Sequence, residues 1–231
     1  MTGNITNLMT RISLRINKNR RINLCKNDLV KLNLGAGLSV RQGWINVDAS
    51  LNALISTWPK FIQKFLYNAS GSKHNFSFEQ YYNILKNNRF IYHNLIFGIP
   101  LIDNCVDYIY CSHLLEHLTQ QQGVNLIKEM YRALKKNGII RLVVPDLAYV
   151  IDLYCSGEKE AALKKLYNHQ ESKDNFARHK FMYDFDILKD LLTESGFTDI
   201  TQCEYQQGET PDIEFLDNRP QDSLYVEATR K

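Results

Sequence analysis

Two polar features follow the first two apolar runs of the chain. A Gly-Ala-Gly turn (35–37) comes directly after LVKLNL (29–34), and Asp48 ends the run WINVD (44–48). A glycine turn after a buried strand lets the backbone approach a ligand, and an acid ending the next strand holds a ribose diol in nucleoside-binding folds. Either feature alone is also common in plain connections or helix caps. Together they predict a site for an adenosine cofactor.

Ionisable residues follow two later apolar runs. The segment Ser-His-Leu-Leu-Glu-His (112–117) comes after VDYIYC (106–111), Asp146 follows the next run, and His179 precedes a predicted helix. Ligands of open parallel sheets bind beyond the carboxyl ends of the strands, so these residues are predicted to share one edge of the sheet. Histidine is the side chain best suited to proton transfer near neutral pH. His117, the last residue of the segment, is expected to be structural.

The predicted strands and helices that must position these residues alternate along the chain. Strand-like runs are predicted at 29–34, 44–48, 90–93, 106–111, 139–144, 197–205 and 224–229, and helices over 124–136 and 186–195. A further helix is predicted to begin near Ser39. Alternation of this kind indicates an α/β fold with a mainly parallel sheet, helices on both faces and an antiparallel closing pair.

The chain divides by charge and periodicity into an arm and a body. Residues 1–27 contain six basic residues and no acid, which leaves 22 basic against 25 acidic residues in 28–231. The body therefore gives no electrostatic reason to expect nucleic-acid binding. The arm is interpreted as a solvated extension, with a contact for acidic lipid or nucleic acid, or an added edge strand, as alternatives, and it is assigned no function. Within the body, 51–88 is predicted to be a helical insertion, interrupted at Pro59.

The composition excludes several classes of protein. Hydrophobic residues make up 44%, charged residues 23%, and there are only 5 Pro and 11 Gly, so the chain is not a disordered tail or a collagen-like repeat. No apolar run approaches the roughly 18 residues of a membrane span. A cytoplasmic location without a transmembrane segment is expected. Five cysteines without a CxxC pair favour neither disulfides nor zinc, and no metal site is predicted.

Six stretches of the chain occur together in one known family. They are KLNLGAG (31–37), GWINVDAS (43–50), GIPLIDNCVDYIYCSHLLEHL (98–118), IKEMYRALKKNGIIRLVVPDL (127–147), HKFMYDFDILKDLLTESGF (179–197) and SLYVEATRK (223–231). The chain resembles the class I S-adenosylmethionine-dependent methyltransferases, and more narrowly a bacterial group associated with surface-polysaccharide biosynthesis. The resemblance implies a Rossmann-like sheet of seven strands with an antiparallel C-terminal edge strand.

The resemblance also implies residues that hold S-adenosyl-L-methionine. They are Asn33, Gly35, Ala36, Gly37, Asp48, Asn94 and Ser112. In the family the glycine turn approaches the amino-acid end of the cofactor, and the acid corresponding to Asp48 binds the ribose. Asn94 stands where an acid commonly reads the adenine amine, and Asn33 stands where many members carry another acid. Both amides can accept a hydrogen bond, but without a charge.

The residues beside the expected methyl group are assigned by the same resemblance. His113 is the first candidate for a general base, His179 is the second, and Asp146 is placed to face the acceptor. Glu116 and Arg219 are assigned to acceptor binding, and an arginine there suits an anionic acceptor. A base is needed if the acceptor is a hydroxyl.

Two functions follow from these assignments. The first is an enzyme that methylates a small polar acceptor, a sugar hydroxyl in glycan or surface-polysaccharide biosynthesis. The second is a non-catalytic protein of the same fold that acts as a partner in a glycan-assembly complex. The second is kept because Asn33 and Asn94 replace acids.

Overall fold

The computed structural model describes residues 21–24, 29–69, 71–167, 178–220 and 222–231. The arm predicted at 1–27 therefore lies outside the described residues except for 21–24. In that stretch the Arg21 side chain donates a hydrogen bond to the carbonyl of Ile99 (2.6 Å), and the Ile22 amide donates to the carbonyl of Pro100 (2.9 Å). No helix in the described part of the chain has the length and apolar character of a membrane span.

A seven-stranded sheet forms the centre of the fold. Its strands are β1 (Lys31–Leu34), β2 (Trp44–Asp48), β3 (Arg89–Tyr92), β4 (Val106–Ser112), β5 (Leu134–Pro145), β6 (Phe197–Cys203) and β7 (Ser223–Arg230). The order across the sheet is β3-β2-β1-β4-β5-β7-β6. Strands β1 to β5 are parallel, and β7 lies antiparallel between β5 and β6. The predicted α/β fold with a mainly parallel sheet is confirmed.

Eight α-helices connect the strands in the described residues. They are α1 (Leu51–Ile55), α2 (Lys60–Ala69), α3 (Phe78–Asn87), α4 (Gln120–Ala133), α5 (Leu147–Cys155), α6 (Lys159–Tyr167), α7 (Phe185–Glu194) and α8 (Ile213–Leu216). The longest, α4, begins with a capping box in which Thr119 and Gln122 satisfy each other's backbone amides. Helices α1 to α3 occupy the segment between β2 and β3.

The helix predicted to begin near Ser39 is wrong. Only nine residues (35–43) join the parallel strands β1 and β2, and they form turns rather than a helix. Gly37 and Gly43 adopt φ values of 51° and 84°, in the left-handed region that interrupts a right-handed helix. The Ser39 carbonyl accepts a hydrogen bond from the Asn33 side chain (2.9 Å), which ties the turn back to β1.

The two faces of the sheet are covered differently. On one face, strand residues such as Leu32 and Ile109 pack with Ile127 of α4 and Leu188 of α7 in the main hydrophobic core. On the other face, Leu216 of α8 joins a smaller cluster whose buried strand residues are Trp44, Tyr110, Val143 and Tyr225. The segment around α8 thus helps to cover the face where the β1–β2 connection supplies no helix.

A buried ion network fixes that covering segment. Arg141 of β5 donates to Asp217 (2.6 Å) and to Glu227 of β7 (3.1 Å). The side chains of Arg141 and Asp217 are 0% exposed, and that of Glu227 is 7% exposed. It also donates to the carbonyl of Gln207 (2.9 Å). Burial acts to lower the pKa of Arg141, but the hydrogen bond and charge of Asp217 outweigh burial and raise it. The guanidinium therefore stays charged.

Replacing Arg141 is expected to destabilise the fold strongly. Arg141→Met leaves the carboxylates of Asp217 and Glu227 buried without their cation, which costs about 3–5 kcal/mol of the free energy of unfolding. Urea denaturation followed by circular dichroism measures the loss. Lys164→Met removes a solvent-exposed ion pair of α6 and serves as the control, with a midpoint close to wild type. Equal midpoints for the two variants would contradict the structural role of the network.

Candidate functional site

A cleft opens at the carboxyl ends of β1 and β4, between the glycine turn and the segment after α8. The residues that line it are Asn33, Gly35, Ala36, Gly37, Leu38, Ser39, Tyr110, Ser112, His113, Leu216, Asn218 and Arg219. A larger depression beside α3 contains no ionisable side chain. Because chemistry needs polar groups that converge, we take the smaller cleft as the candidate active site.

The glycine turn forms one wall of this cleft. Gly35 adopts a φ of 68°, and a Cβ there would lie 3.1 Å from the Cβ of Leu114. Gly37 adopts a φ of 51°, and a Cβ there would meet no atom within 4 Å. The backbone of Gly37 therefore faces open space in a conformation that favours glycine. The turn leaves room for a ligand to approach the main chain.

Asp48 lies beside the turn at the end of β2. Its carboxylate accepts hydrogen bonds from the amides of Gly37 (2.9 Å) and Ser50 (2.6 Å). The side chain does not line the cleft, but it is only half-buried. A carboxylate has about four acceptor positions, so two remain for other donors.

The two asparagines that replace acids differ in position. Asn33 lines the cleft but is 2% exposed, and its side-chain amide donates to the Ser39 carbonyl and to Asn46 (3.1 Å). Asn94 does not line the cleft, and its Oδ1 accepts the amide of Ile96 (3.0 Å) to cap the 3-10 helix Leu95–Phe97. Asn33 thus shapes the turn after β1, and Asn94 shapes the turn after β3.

His113 leaves the end of β4 with a φ of 49° and projects into the cleft wall. Its Nδ1 lies 3.1 Å from Oε1 of Glu116, and its Nε2 lies 3.1 Å from the hydroxyl of Ser223. The His113 side chain is 11% exposed and the Glu116 side chain is 1% exposed. The imidazole is therefore held in one orientation between a buried carboxylate and a hydroxyl.

Ser223 was missed by the sequence reasoning. It is the first residue of β7 and pairs with Pro145, the last residue of β5. Because β7 runs antiparallel to β5, its first residue lies at the sheet edge where the parallel strands end. The predicted antiparallel pairing of the last strands is the feature of the sequence from which Ser223 could have been placed at this edge.

Glu116, His117 and His179 lie together behind His113. The rings of His117 and His179 are 5.3 Å apart between centroids, and His117 Nε2 lies 3.9 Å from Glu116 Oε1. Burial is the main cause that lowers the pKa of His179, although the charge of Glu116 acts in the opposite direction. None of the three lines the cleft.

The remaining predicted residues are divided between the cleft and its surroundings. Asp146 caps α5, accepting the amide of Ala148 (2.9 Å), and does not line the cleft. Arg219 lines the cleft and is exposed, and its carbonyl accepts a hydrogen bond from the Tyr225 hydroxyl (2.8 Å). No ion pair of its guanidinium is found among the described residues.

Comparison with known proteins bears on the fold of the chain. A family model described as a methyltransferase domain matches residues 63–142. The crystal structure of SibL, an S-adenosylmethionine-dependent methyltransferase in its apo form, superposes with a TM-score of 0.50 at 16% identity, covering 99% of this chain and 56% of SibL. The chain has a methyltransferase fold. A possible exported protein from Bordetella parapertussis gives a TM-score of 0.53 at 12% identity, with 99% and 68% covered. No curated protein matches the chain.

S-adenosylmethionine is the cofactor that the match of residues 63–142 to a methyltransferase family model indicates. The residues present fit this group in two respects. The backbone at Gly37 faces open space, and the Asp48 carboxylate beside it keeps acceptor positions for hydroxyl donors. The sheet edge that carries both is the one where ligands of parallel sheets bind.

Proposed function

We propose that the protein transfers the methyl group of S-adenosylmethionine to a hydroxyl of a small polar acceptor, a sugar in glycan or surface-polysaccharide biosynthesis. The observation that carries the proposal is the position of His113, which borders the cleft and is held between Ser223 and the buried carboxylate of Glu116. The match to a methyltransferase domain supports the reaction class. The sugar rests on the resemblance of the sequence to a polysaccharide-associated group.

The cofactor is assigned to the glycine turn and to Asp48. In this assignment the turn 35–37 and Ser112 border the amino-acid end and the sulfonium, and Asp48 accepts from the ribose hydroxyls. When bound, S-adenosylmethionine supplies an electrophilic methyl group on a positively charged sulfur. The chain's own contribution is to hold the acceptor oxygen in line with that group, which lowers the entropic part of the barrier. Asn94 is assigned to the adenine end.

His113 is assigned as the general base. In its neutral form one ring nitrogen donates and the other accepts. Glu116, when ionised, can only accept, so Nδ1 donates to it and Nε2 accepts the Ser223 hydroxyl. An acceptor hydroxyl bound at Nε2, directly or through Ser223, gives its proton to this nitrogen as the oxygen–methyl bond forms. The Glu116 carboxylate stabilises the imidazolium that results. Of the further candidates, Arg219 is assigned to an anionic part of the acceptor, whereas Asp146 and His179 lie outside the cleft lining.

A non-catalytic partner protein is the second candidate function. It is favoured by Asn33 and Asn94, which stand in place of acids and are engaged in internal hydrogen bonds. Both amide groups shape turns of the chain itself. If they contribute nothing to a cofactor, Asp48 remains as the charged group for binding it. Calorimetry with S-adenosylmethionine separates the two functions, because the partner protein without cofactor gives no heat of binding.

Asp48→Ala is expected to weaken S-adenosylmethionine binding by more than tenfold. A charge-assisted hydrogen bond contributes about 1.5–3 kcal/mol, and about 1.4 kcal/mol corresponds to a tenfold change in Kd. Calorimetry of S-adenosylhomocysteine binding measures the change, with Asp152→Ala on the exposed side of α5 as the matched control. An unchanged Kd in Asp48→Ala would remove this residue from the site.

His113→Asn is expected to lower turnover by about 10²–10⁴-fold, the usual contribution of a general base. Asparagine tolerates the positive φ at this position, so the change removes the imidazole with little backbone strain. Transfer of labelled methyl groups to a panel of nucleotide sugars measures turnover, and calorimetry checks that cofactor affinity is retained. His74→Asn, on an exposed turn that does not line the cleft, is the control. Equal turnover in wild type and His113→Asn, with chemistry rate-limiting, would remove His113 as the base.

A further inference from the structure

Three potential metal ligands meet on the buried side of His113. Glu116, His117 and His179 each offer one ligand atom, and these atoms all lie within 4.8 Å of one another. Glu116 and His117 are neighbours in the 3-10 turn Leu115–His117, whereas His179 comes from a distant part of the chain. The fold therefore brings a carboxylate and two imidazoles together at one point.

Two atoms of this cluster are buried without a hydrogen-bond partner. They are Oε2 of Glu116 and Nδ1 of His179. The Glu116 residue is 0% exposed, so this carboxylate oxygen has no access to bulk water. Leaving a buried acceptor without a donor destabilises the folded state, and more so when the acceptor is charged. A cation between the carboxylate and the two rings would satisfy both atoms at once.

The backbone orients one of the rings for ligation. His117 Nδ1 lies 3.3 Å from the carbonyl oxygen of Arg178. Because a carbonyl can only accept, Nδ1 carries a proton, and in the neutral ring Nε2 then has the free electron pair that a metal ion needs. Nε2 is also the nitrogen on the Glu116 side, 3.9 Å from Oε1. A hydrogen bond from the other ring nitrogen to a backbone carbonyl is the usual support of a metal-binding histidine.

The backbone of Glu116 ties the segment that carries His179 to the turn. The carbonyl of Glu116 accepts the amide of Lys180 (2.7 Å), and the carbonyl of His117 accepts the Lys180 side chain (2.7 Å). These two hydrogen bonds hold the residue after His179 against the two residues that offer the other ligands. The three ligand positions are therefore fixed relative to one another by main-chain contacts.

We propose that Glu116, His117 and His179 bind one divalent transition-metal ion. Two imidazole nitrogens and one carboxylate oxygen can form a facial set that leaves coordination positions open, and this donor set suits Fe²⁺, Co²⁺ or Zn²⁺ better than Mg²⁺ or Ca²⁺. In a facial arrangement, ligand atoms about 2.1 Å from one ion lie roughly 3.0–3.4 Å apart, so the longest separation must shorten by at most about 1.8 Å to close the site. The cysteine pattern gave no reason to predict such a site, because no ligand is a thiolate.

The ion would be bound to Glu116, and the side chain of His113 would lie between Glu116 and the cleft. Glu116 bonds His113 through Oε1, and His113 borders the cleft. An open coordination position therefore suits an oxygen of the acceptor or a water molecule next to it. This placement relative to an acceptor rests on the proposed function, whereas metal binding itself does not.

Cobalt binding to the full chain, freed of any purification tag and of metal by chelation, tests the proposal. We expect one equivalent of Co²⁺ to bind, with visible absorption bands of a nitrogen- and oxygen-ligated ion. His179→Gln, His117→Gln and Glu116→Gln should each weaken binding at least tenfold, because each removes one of three protein ligands. His74→Gln is the matched control, since His74 is exposed outside the cluster. Mg²⁺ at the same concentration should not compete.

The outcomes separate this proposal from the proposed function. Absence of Co²⁺ binding, or binding by His179→Gln equal to wild type, would overturn the metal site. Effective competition by Mg²⁺ would overturn the choice of ion class. Thermal melts keep the test valid if a variant is less stable, because Co²⁺ should raise the Tm of the wild type and His74→Gln but not of the ligand variants. S-adenosylhomocysteine binding, measured in parallel, reports on the methyltransferase function independently of the ion.

Discussion

The buried guanidinium of Arg141 holds the wall of the cleft in place. It lies on β5 in the middle of the sheet and binds Asp217, which directly follows the cleft residue Leu216 and precedes Asn218. The hydroxyl of Tyr110 donates to the same segment, at the carbonyl of Leu216 (2.9 Å). Because the turn after β1 contains no helix, this segment forms the second wall. Arg141 and Tyr110 thus hold this wall of the cleft from within the sheet.

A second ionic contact anchors the same segment to the first strand. Asp212 accepts hydrogen bonds from Lys31 of β1 (2.6 Å) and from the Trp44 indole (2.8 Å). Burial acts to raise the pKa of Asp212, but the hydrogen bonds from Lys31 and Trp44 outweigh it and lower the pKa. Buried ion pairs contribute little net stability over apolar contacts, but they restrict which partner can dock. The two anchors thus specify one position of the segment across β1 and β5.

The sequence predicted the sheet, and the same topology brings several of the candidate site residues to one edge of it. Parallel strands end at one edge, so Gly35, Asp48 and His113 could be placed together without knowing any contact. The absence of a helix after Ser39 was not predicted, because the positive φ values of Gly37 and Gly43 that interrupt a helix are visible only in the structure. The approach of His179 to Glu116 likewise requires tertiary structure, since no local pattern brings those two residues together.

Glu116 takes part in both proposals, and its single charge connects them. In the proposed function, its free carboxylate would stabilise an imidazolium at His113 and so help His113 to take the acceptor proton. When it ligates a cation, part of its charge is neutralised and this support becomes weaker. The ion compensates, because a divalent metal lowers the pKa of a hydroxyl or water bound to it. The proposed base and the proposed ion would each help to deprotonate a hydroxyl acceptor, whose pKa is high: the base by taking the proton, the ion by lowering that pKa. A change at His113 would affect only the base and a change at His179 only the ion, whereas a change at Glu116 would affect both.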